Sequence, residues 1–191
     1  MVEYCGSVTH TLIGRYIFRS IMGLFQRCND GLMSLYGIAP FRFILIIYAF
    51  MCMWLRLTHD VILSLSTAID YYSGINLSFI YSYHDVINEI SLLDVVIIAP
   101  VLETIMFQVV IQNFLRNFIK NQLVILLITA VLFSLIHLSN NVANAVNAFG
   151  LGLAFAMIYE YFRVCKNHVA AVFVTIAIHV FWNVTLVHTF I

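Results

Sequence analysis

Four residues that can move protons or stabilise negative charge stand inside apolar stretches of this sequence: Glu103, His137, His179 and Asn183. An ionised carboxylate in hydrocarbon costs roughly 3 kcal/mol on insertion scales, so Glu103 needs a partner, a proton or a function. A carboxylate and a neutral imidazole can together deprotonate a water held between them. His179 and Asn183, four residues apart on one helical face, can donate hydrogen bonds to a developing oxyanion. These residue types therefore predict a hydrolytic site.

Zinc binding is the alternative chemistry for the same residues, because one glutamate and two histidines form a legitimate zinc ligand set. The sequence contains no HExxH segment, however, and the three ligands would come from three separate helices. We therefore expect neither a metal nor another cofactor, and keep zinc as the alternative.

The composition places these residues in a membrane. Of the 191 residues, 63% are hydrophobic and 9% are charged, whereas soluble domains carry about 25% charged residues. The formal net charge is zero, so the chain has no general basic field for nucleic acid. The four cysteines are scattered and form no CxxC pair, which indicates neither a zinc knuckle nor a disulfide framework. We predict an integral membrane protein that contacts the lipid bilayer and no nucleic acid.

Four apolar helices must position the polar residues. Each is near the roughly 20 residues that cross a bilayer, and they are predicted at 91–115, 122–138, 142–163 and 168–190. The first and third of the connections between them carry basic residues, namely Arg116, Lys120, Arg163 and Lys166. Alternating helices bring both basic connections to one side of the membrane, which the positive-inside rule makes cytoplasmic.

The depth of the polar residues follows from the same helices. Glu103 precedes Arg116 by thirteen residues, and His179 follows Lys166 by thirteen. Both residues therefore lie roughly 20 Å from the basic loops, at about 1.5 Å per residue. His137 closes its helix at a comparable depth, so one layer of the membrane can hold the carboxylate and both imidazoles.

The N-terminal half completes the expected architecture. Residues 11–27 predict a basic amphipathic helix in the membrane interface, and residues 41–57 predict a further span. Residues 58–90 contain four acidic residues, and either an interfacial or re-entrant excursion or one poor span fits them. If they do not cross, the chain has five spans, with its N-terminus inside and its C-terminus outside. The expected fold is an all-α, polytopic transmembrane helical bundle with an N-terminal amphipathic interfacial helix.

Other polar residues in these helices have a simpler interpretation. Hydrogen bonds between membrane helices contribute about 0.6 kcal/mol each and often serve only to join the helices. Taken singly, four residues are better explained in this way than by catalysis: Gln112, Asn144, Asn147 and Thr175.

Three motifs in the C-terminal half resemble those of the CPBP family of intramembrane proteases, also called the Abi or type II CAAX prenyl protease family. The family pattern PxxEExxFR is similar to PVLETIMFQ at 100–108, FxxxH is similar to FSLIH at 133–137, and HxxxN is similar to HVFWN at 179–183. The resemblance covers roughly residues 95–190. It implies an intramembrane protease domain over 41–191, preceded by a cytoplasmic or interfacial segment over 1–40.

The resemblance also implies roles for individual residues. Glu103 with His137 would activate the hydrolytic water, and His179 with Asn183 would stabilise the oxyanion, without a metal. Four further motif positions would support the substrate or the site: Thr104, Phe107, Gln108 and Phe133.

Two of these positions depart from the family pattern. Thr104 stands where the family has a second Glu, and Gln108 stands where it has Arg. Removing one member of a buried ion pair costs roughly 3–5 kcal/mol, whereas replacing both members with neutral groups can be tolerated. We therefore interpret Thr104 and Gln108 as a compensated variant of that pair.

Three functions remain open from the sequence. The first is an intramembrane endopeptidase acting on a membrane-associated protein or peptide, in a multi-pass protein of a bacterial cytoplasmic (inner) membrane. The second is a non-catalytic immunity or scaffold protein of the same fold. The third, a transporter with a Glu/His proton relay, is weakened because no inverted repeat with paired broken helices is evident. The intact Glu103, His137, His179 and Asn183 favour the endopeptidase.

Overall fold

The structure, a computed structural model, describes residues 3–73 and 91–190. Within these two ranges every regular element is a helix and no strand is present. The helices are α1 (Glu3–Ser34), α2 (Pro40–Ser73), α3 (Asp94–Arg116), α4 (Gln122–His137), α5 (Val142–Cys165) and α6 (His168–Phe190), with a 3-10 turn at Leu35–Gly37. The predicted all-α helical bundle is confirmed.

The two N-terminal helices are longer than the sequence pattern predicts. α1 contains the predicted helix 11–27, although the side chains of residues 11–16 lie outside the described ones. α2 contains the predicted span 41–57 and continues to Ser73, so residues 58–73 extend a helix and are not a separate excursion. Asp60, which suggested an interruption, sits on the helix surface and pairs with Arg56 at 3.8 Å. Residues 74–90 lie outside the described part of the chain.

Four of the described helices are long and apolar enough to cross a membrane, namely Pro40–Ile69, Asp94–Arg116, Val142–Cys165 and His168–Val187. α4 is equally apolar but has 16 residues. At 1.5 Å per residue it is roughly 24 Å long, which is shorter than the ~30 Å hydrocarbon core. The five expected spans are therefore four full-length spans and one short apolar helix, and the chain is an integral membrane protein.

The start of α2 lies at the end of the bundle that carries the basic residues of α5. The Tyr161 hydroxyl donates to the carbonyl of Ile38, and the rings of Phe43 and Tyr161 stack with centroids 4.0 Å apart. At the opposite end, Trp54 Nε1 donates to the Val146 carbonyl at 3.3 Å. α2 and α5 are therefore antiparallel, and the basic N-terminal region shares one end of the bundle with the loop after α5.

α5 is the central helix of the bundle. In its membrane window 61% of the residues are buried, against 22% in each of the other three full-length spans. Small residues allow this close packing. A Cβ on Gly152 would approach the side chain of Phe133 to 2.9 Å, and a Cβ on Gly150 would overlap the ring of Trp54. α4 and α2 can therefore dock on α5 only because these positions lack side chains.

α3 is not a uniform α-helix. Its segments Asp94–Ile98 and Thr104–Gln112 have π-helical geometry, and Ala99–Glu103 between them is α-helical. π-Helical turns are rare and often occur at functional sites. Glu103 is the last residue of the α-helical segment, so it stands where the helix changes its geometry.

Candidate active site

Glu103 lies between the two histidines that the sequence placed at its depth. The carboxylate oxygen Oε1 is 3.9 Å from His137 Nε2, and Oε2 is 3.5 Å from His179 Nε2. Both separations exceed the 2.7–3.2 Å of a direct N–H···O hydrogen bond. The Glu103 side chain keeps 20% of its surface exposed. α3, α4 and α6 thus bring the predicted carboxylate and imidazoles together while leaving the carboxylate open.

The tautomer of His137 follows from its hydrogen bond. Its Nδ1 lies 2.8 Å from the carbonyl oxygen of Phe133, one turn earlier in α4. A carbonyl can only accept, so Nδ1 carries the hydrogen and Nε2 of the neutral ring is an acceptor. Nε2 and Glu103 Oε1 therefore face each other as two acceptors. One molecule that donates two hydrogens, such as water, can form a hydrogen bond to each.

His179 is held by aromatic packing. Its ring stacks on Phe155 of α5 with centroids 4.0 Å apart, and the residue is 3% exposed. Nδ1 of His179 has no hydrogen-bond partner among the described residues. With a carboxylate oxygen on its other side, Nε2 is the nitrogen that the surroundings favour as the donor. Phe155 was not singled out by the sequence, because one more aromatic residue in an apolar helix gives no signal.

Asn183 lies one turn beyond His179, as its spacing predicts, and its side chain reaches α3. Its Nδ2 donates to the carbonyl oxygen of Val95 at 2.8 Å. A side-chain amide has two hydrogens on this nitrogen, so one of them remains available to another acceptor. The sequence missed the contact to Val95, because it joins residues 88 positions apart.

Phe107 and Phe133 pack against each other, and Phe133 packs against His137. Their rings meet edge to face at 5.2 Å, and the ring of Phe133 lies 4.7 Å from that of His137. Since Phe133 also supplies the carbonyl that fixes the tautomer of His137, its position bears directly on the geometry of the site. The structure therefore places both phenylalanines as packing residues.

Thr104 and Gln108, the two departures from the family pattern, are buried, with exposures of 0% and 1%. They share the interior face of α3, but Thr104 Oγ1 and Gln108 Nε2 have no hydrogen-bond partner among the described residues. Thr104 Oγ1 and Gln108 Nε2 therefore do not bond to each other. Both remain neutral polar groups beside Glu103.

Of the polar residues interpreted as joining helices, Gln112 and Asn147 make bonds between helices, whereas the bond of Thr175 stays within its own helix. The Thr58 hydroxyl donates to Asn147 Oδ1 and joins α2 to α5. Thr175 Oγ1 donates to the Ala171 carbonyl of its own helix at 2.7 Å. Gln112 Nε2 donates to the Ala156 carbonyl at 3.2 Å and joins α3 to α5.

A second buried carboxylate lies at the basic end of the bundle. Glu160 Oε1 accepts from Arg163 Nη2 at 2.7 Å, and Oε2 accepts from Gln112 at 3.3 Å and pairs with Arg116. The Glu160 side chain is 2% exposed. The contact with Arg163 is local, three residues along α5, whereas the pairing with Arg116 joins α5 to α3.

No group of three His, Cys, Asp or Glu side chains within the described ranges is arranged to hold a metal ion.

A comparison with protein families matches residues 87–185, about half of the chain, to a family described as Type II CAAX prenyl endopeptidase Rce1-like. The chain belongs to this Rce1-like family. The matched range contains all four candidate catalytic residues. Comparisons with curated proteins and with solved structures found no match.

Membership of the Rce1-like family confirms the predicted relationship to type II CAAX proteases. The family is one of CAAX-type endopeptidases, which places the chain in that class at the level of the family and implies a membrane-associated peptide as the kind of substrate. The four apolar spans agree with this assignment.

Proposed function

We propose that this chain hydrolyses a peptide bond in a membrane-associated protein, with Glu103 as a glutamate base. The observation that supports this most is the pair of acceptors 3.9 Å apart, Glu103 Oε1 and His137 Nε2. A water that donates one hydrogen to each acceptor would present its lone pairs to a substrate carbonyl. Two polar atoms separated by more than about 3.5 Å are candidates for a bridging water.

In the proposed reaction the water oxygen forms a bond to the carbonyl carbon while one proton passes to Glu103. The carbonyl oxygen becomes an oxyanion and accepts hydrogen bonds from His179 Nε2 and from the second Nδ2 hydrogen of Asn183. The carbon–nitrogen bond then breaks, and Glu103 returns its proton to the leaving amine. The products are a new carboxyl terminus and a new amino terminus, and Glu103 is again a carboxylate.

Four residues would act by support and not by contact with the reacting atoms: Thr104, Phe107, Gln108 and Phe133. We propose a bacterial cytoplasmic membrane as the location, on the resemblance to the CPBP family and the four apolar spans. No cofactor is required by this scheme.

The proposal is tested by quantitative proteomics on membranes that contain either the wild-type protein or Glu103→Ala at equal abundance. We expect at least one membrane protein with a new terminus in the wild-type membranes alone. Identical termini in the two membranes would contradict the proposal.

A non-catalytic immunity or scaffold role is the second candidate. The observation that favours it is the loss of both charges at Thr104 and Gln108, whose buried polar atoms have no partner among the described residues. Under this alternative a membrane partner would bind equally well to wild type and to Glu103→Ala, and no new terminus would form.

A further inference from the structure

The first turns of α3 contain a carbonyl that the helix itself cannot satisfy. Asp94–Ile98 is π-helical, and the N–H of Ala99 accordingly bonds to the Asp94 carbonyl five residues back. The next donor in this register would be residue 100, which is proline and has no N–H. Its acceptor would have been the carbonyl of Val95. Within the described part of α3, Val95 therefore has no helical donor, because its α-helical partner Ala99 is already committed to Asp94.

The missing donor comes from the other side of the site. Asn183 Nδ2 donates to this same carbonyl of Val95 at 2.8 Å. The bond therefore joins the helix of His179 to the beginning of the helix of Glu103.

An open groove lies beside this bond at the surface of the bundle. It has a volume of about 460 Å³, runs between the start of α3 and the end of α6, and is lined by aliphatic side chains: Leu92, Leu93, Val96, Ile97, Val184 and Val187. The groove includes the residue after Val95 and the residue after Asn183. The hydrogen bond between Asn183 and Val95 is therefore a polar link between the two helices that border an otherwise aliphatic groove.

We propose that Asn183 is a positioning residue as well as an oxyanion donor, because it caps the Val95 carbonyl that Pro100 leaves unpaired. This clamp of Pro100, Val95 and Asn183 fixes the start of α3 against α6. It thereby sets the 3.5 Å separation of Glu103 from His179. The catalytic part of the inference rests on the proposed function, whereas the clamp itself does not.

The test is a double-mutant cycle between Pro100→Ala and Asn183→Ala. Alanine at position 100 restores an N–H, so the Val95 carbonyl gains a helical donor. If the segment stays π-helical, residue 100 supplies it, and if the segment becomes α-helical, Ala99 does. In the Pro100→Ala background the capping role of Asn183 is therefore redundant.

The first readout is the melting temperature in detergent, which does not depend on activity. Asn183→Ala is expected to lower it by several degrees in the natural background and to leave it unchanged beside Pro100→Ala. Thr175→Val, on the same helix with a hydrogen bond confined to α6, is the matched control and should have equal effects in both backgrounds. Equal effects of Asn183→Ala in both backgrounds would overturn the clamp.

The second readout is cleavage of the membrane protein identified by the proteomic comparison. Asn183→Ala should lower kcat about 10³-fold, but only about 10²-fold beside Pro100→Ala, where a single oxyanion donor is lost. KM should stay the same. An unchanged loss of kcat, together with a coupled melting temperature, would overturn the positioning role. If the wild-type protein cleaves nothing, the proposed function fails, and the melting temperatures alone decide the clamp.

Discussion

Among the described residues, Glu160 and Glu103 are two carboxylates held between helices, and their surroundings differ in one respect. Glu160 is closed: Arg163, Gln112 and Arg116 all contact it, and its side chain is 2% exposed. Glu103 is open: its imidazole neighbours stand at 3.5 and 3.9 Å, and its side chain is 20% exposed. A carboxylate whose lone pairs are all occupied can only stabilise the fold. A carboxylate with free lone pairs facing a second acceptor can bind a water and take its proton.

The largest expected effect is on the open carboxylate's partner. His137→Ala removes the second acceptor for the water, and a positioned acid–base group contributes about 10²- to 10⁴-fold to a rate. We expect a fall in kcat of that size with an unchanged melting temperature in detergent. A variant that retains the wild-type rate would show that activation of the water does not depend on His137.

The closed carboxylate should show the opposite behaviour. Glu160→Gln leaves Arg116 and Arg163 without their counter-charge, and breaking a buried pair in this way costs about 3–5 kcal/mol. We expect a large drop in melting temperature and, for the fraction that remains folded, a normal cleavage rate per molecule. Loss of rate in a fully folded variant would show that Glu160 is also part of the chemistry.

An ion pair introduced next to Glu103, like the ion pairs around Glu160, should have an effect of intermediate size on stability and cleavage rate. Thr104→Glu buries a second carboxylate beside the first, where like charges repel, while adding Gln108→Arg supplies a guanidinium that can bind both oxygens of the new carboxylate. We expect the double variant to be more stable than Thr104→Glu, with a coupling of about 1 to 3 kcal/mol. A double-mutant cycle on melting temperature and cleavage rate measures it. Additive effects would mean that positions 104 and 108 do not interact, and would favour the non-catalytic alternative.

The smallest expected effect is that of metal removal. Glu103, His137 and His179 come from three helices and contain no compact zinc motif, so a chelator should leave the cleavage rate of the purified protein unchanged. Stoichiometric zinc by elemental analysis, with loss of activity on its removal and recovery on its return, would replace the water-activation scheme with metal chemistry.

The sequence predicted the layer of titratable groups, because the number of residues along a helix gives the depth of each group in the membrane. Glu103 and His179 are each thirteen residues from a basic loop, and this count predicted that they lie at the same depth, where the structure brings them to 3.5 Å. The bounds of α4, α5 and α6 were likewise predicted to within a few residues, since short polar connections separate apolar runs of membrane length.

Other features depend on tertiary contacts that no local pattern records. The π-helical segments of α3 were not predictable, because an apolar, lipid-facing helix shows no periodicity that separates 3.6 residues per turn from a wider spiral. Pro100 is visible in the sequence, but nothing local shows that Asn183 satisfies the carbonyl that this proline leaves without a donor. The pairing of Arg116 with Glu160 joins residues 44 positions apart. The continuation of α2 to Ser73 was hidden by acidic residues that the structure places on the helix surface.

Glu103 is proposed as the base that activates water, and replacing its carboxylate with an amide is the sharpest test of that role. The purified Glu103→Gln variant keeps the shape of the side chain but has no carboxylate to accept a proton. We measure its kcat on the substrate found by proteomics and its melting temperature, beside wild type. If Glu103 is the base, we expect kcat to fall by at least about 10²-fold, the smallest contribution typical of a general base, with the melting temperature unchanged. A folded Glu103→Gln protein that cleaves at the wild-type rate would contradict that role.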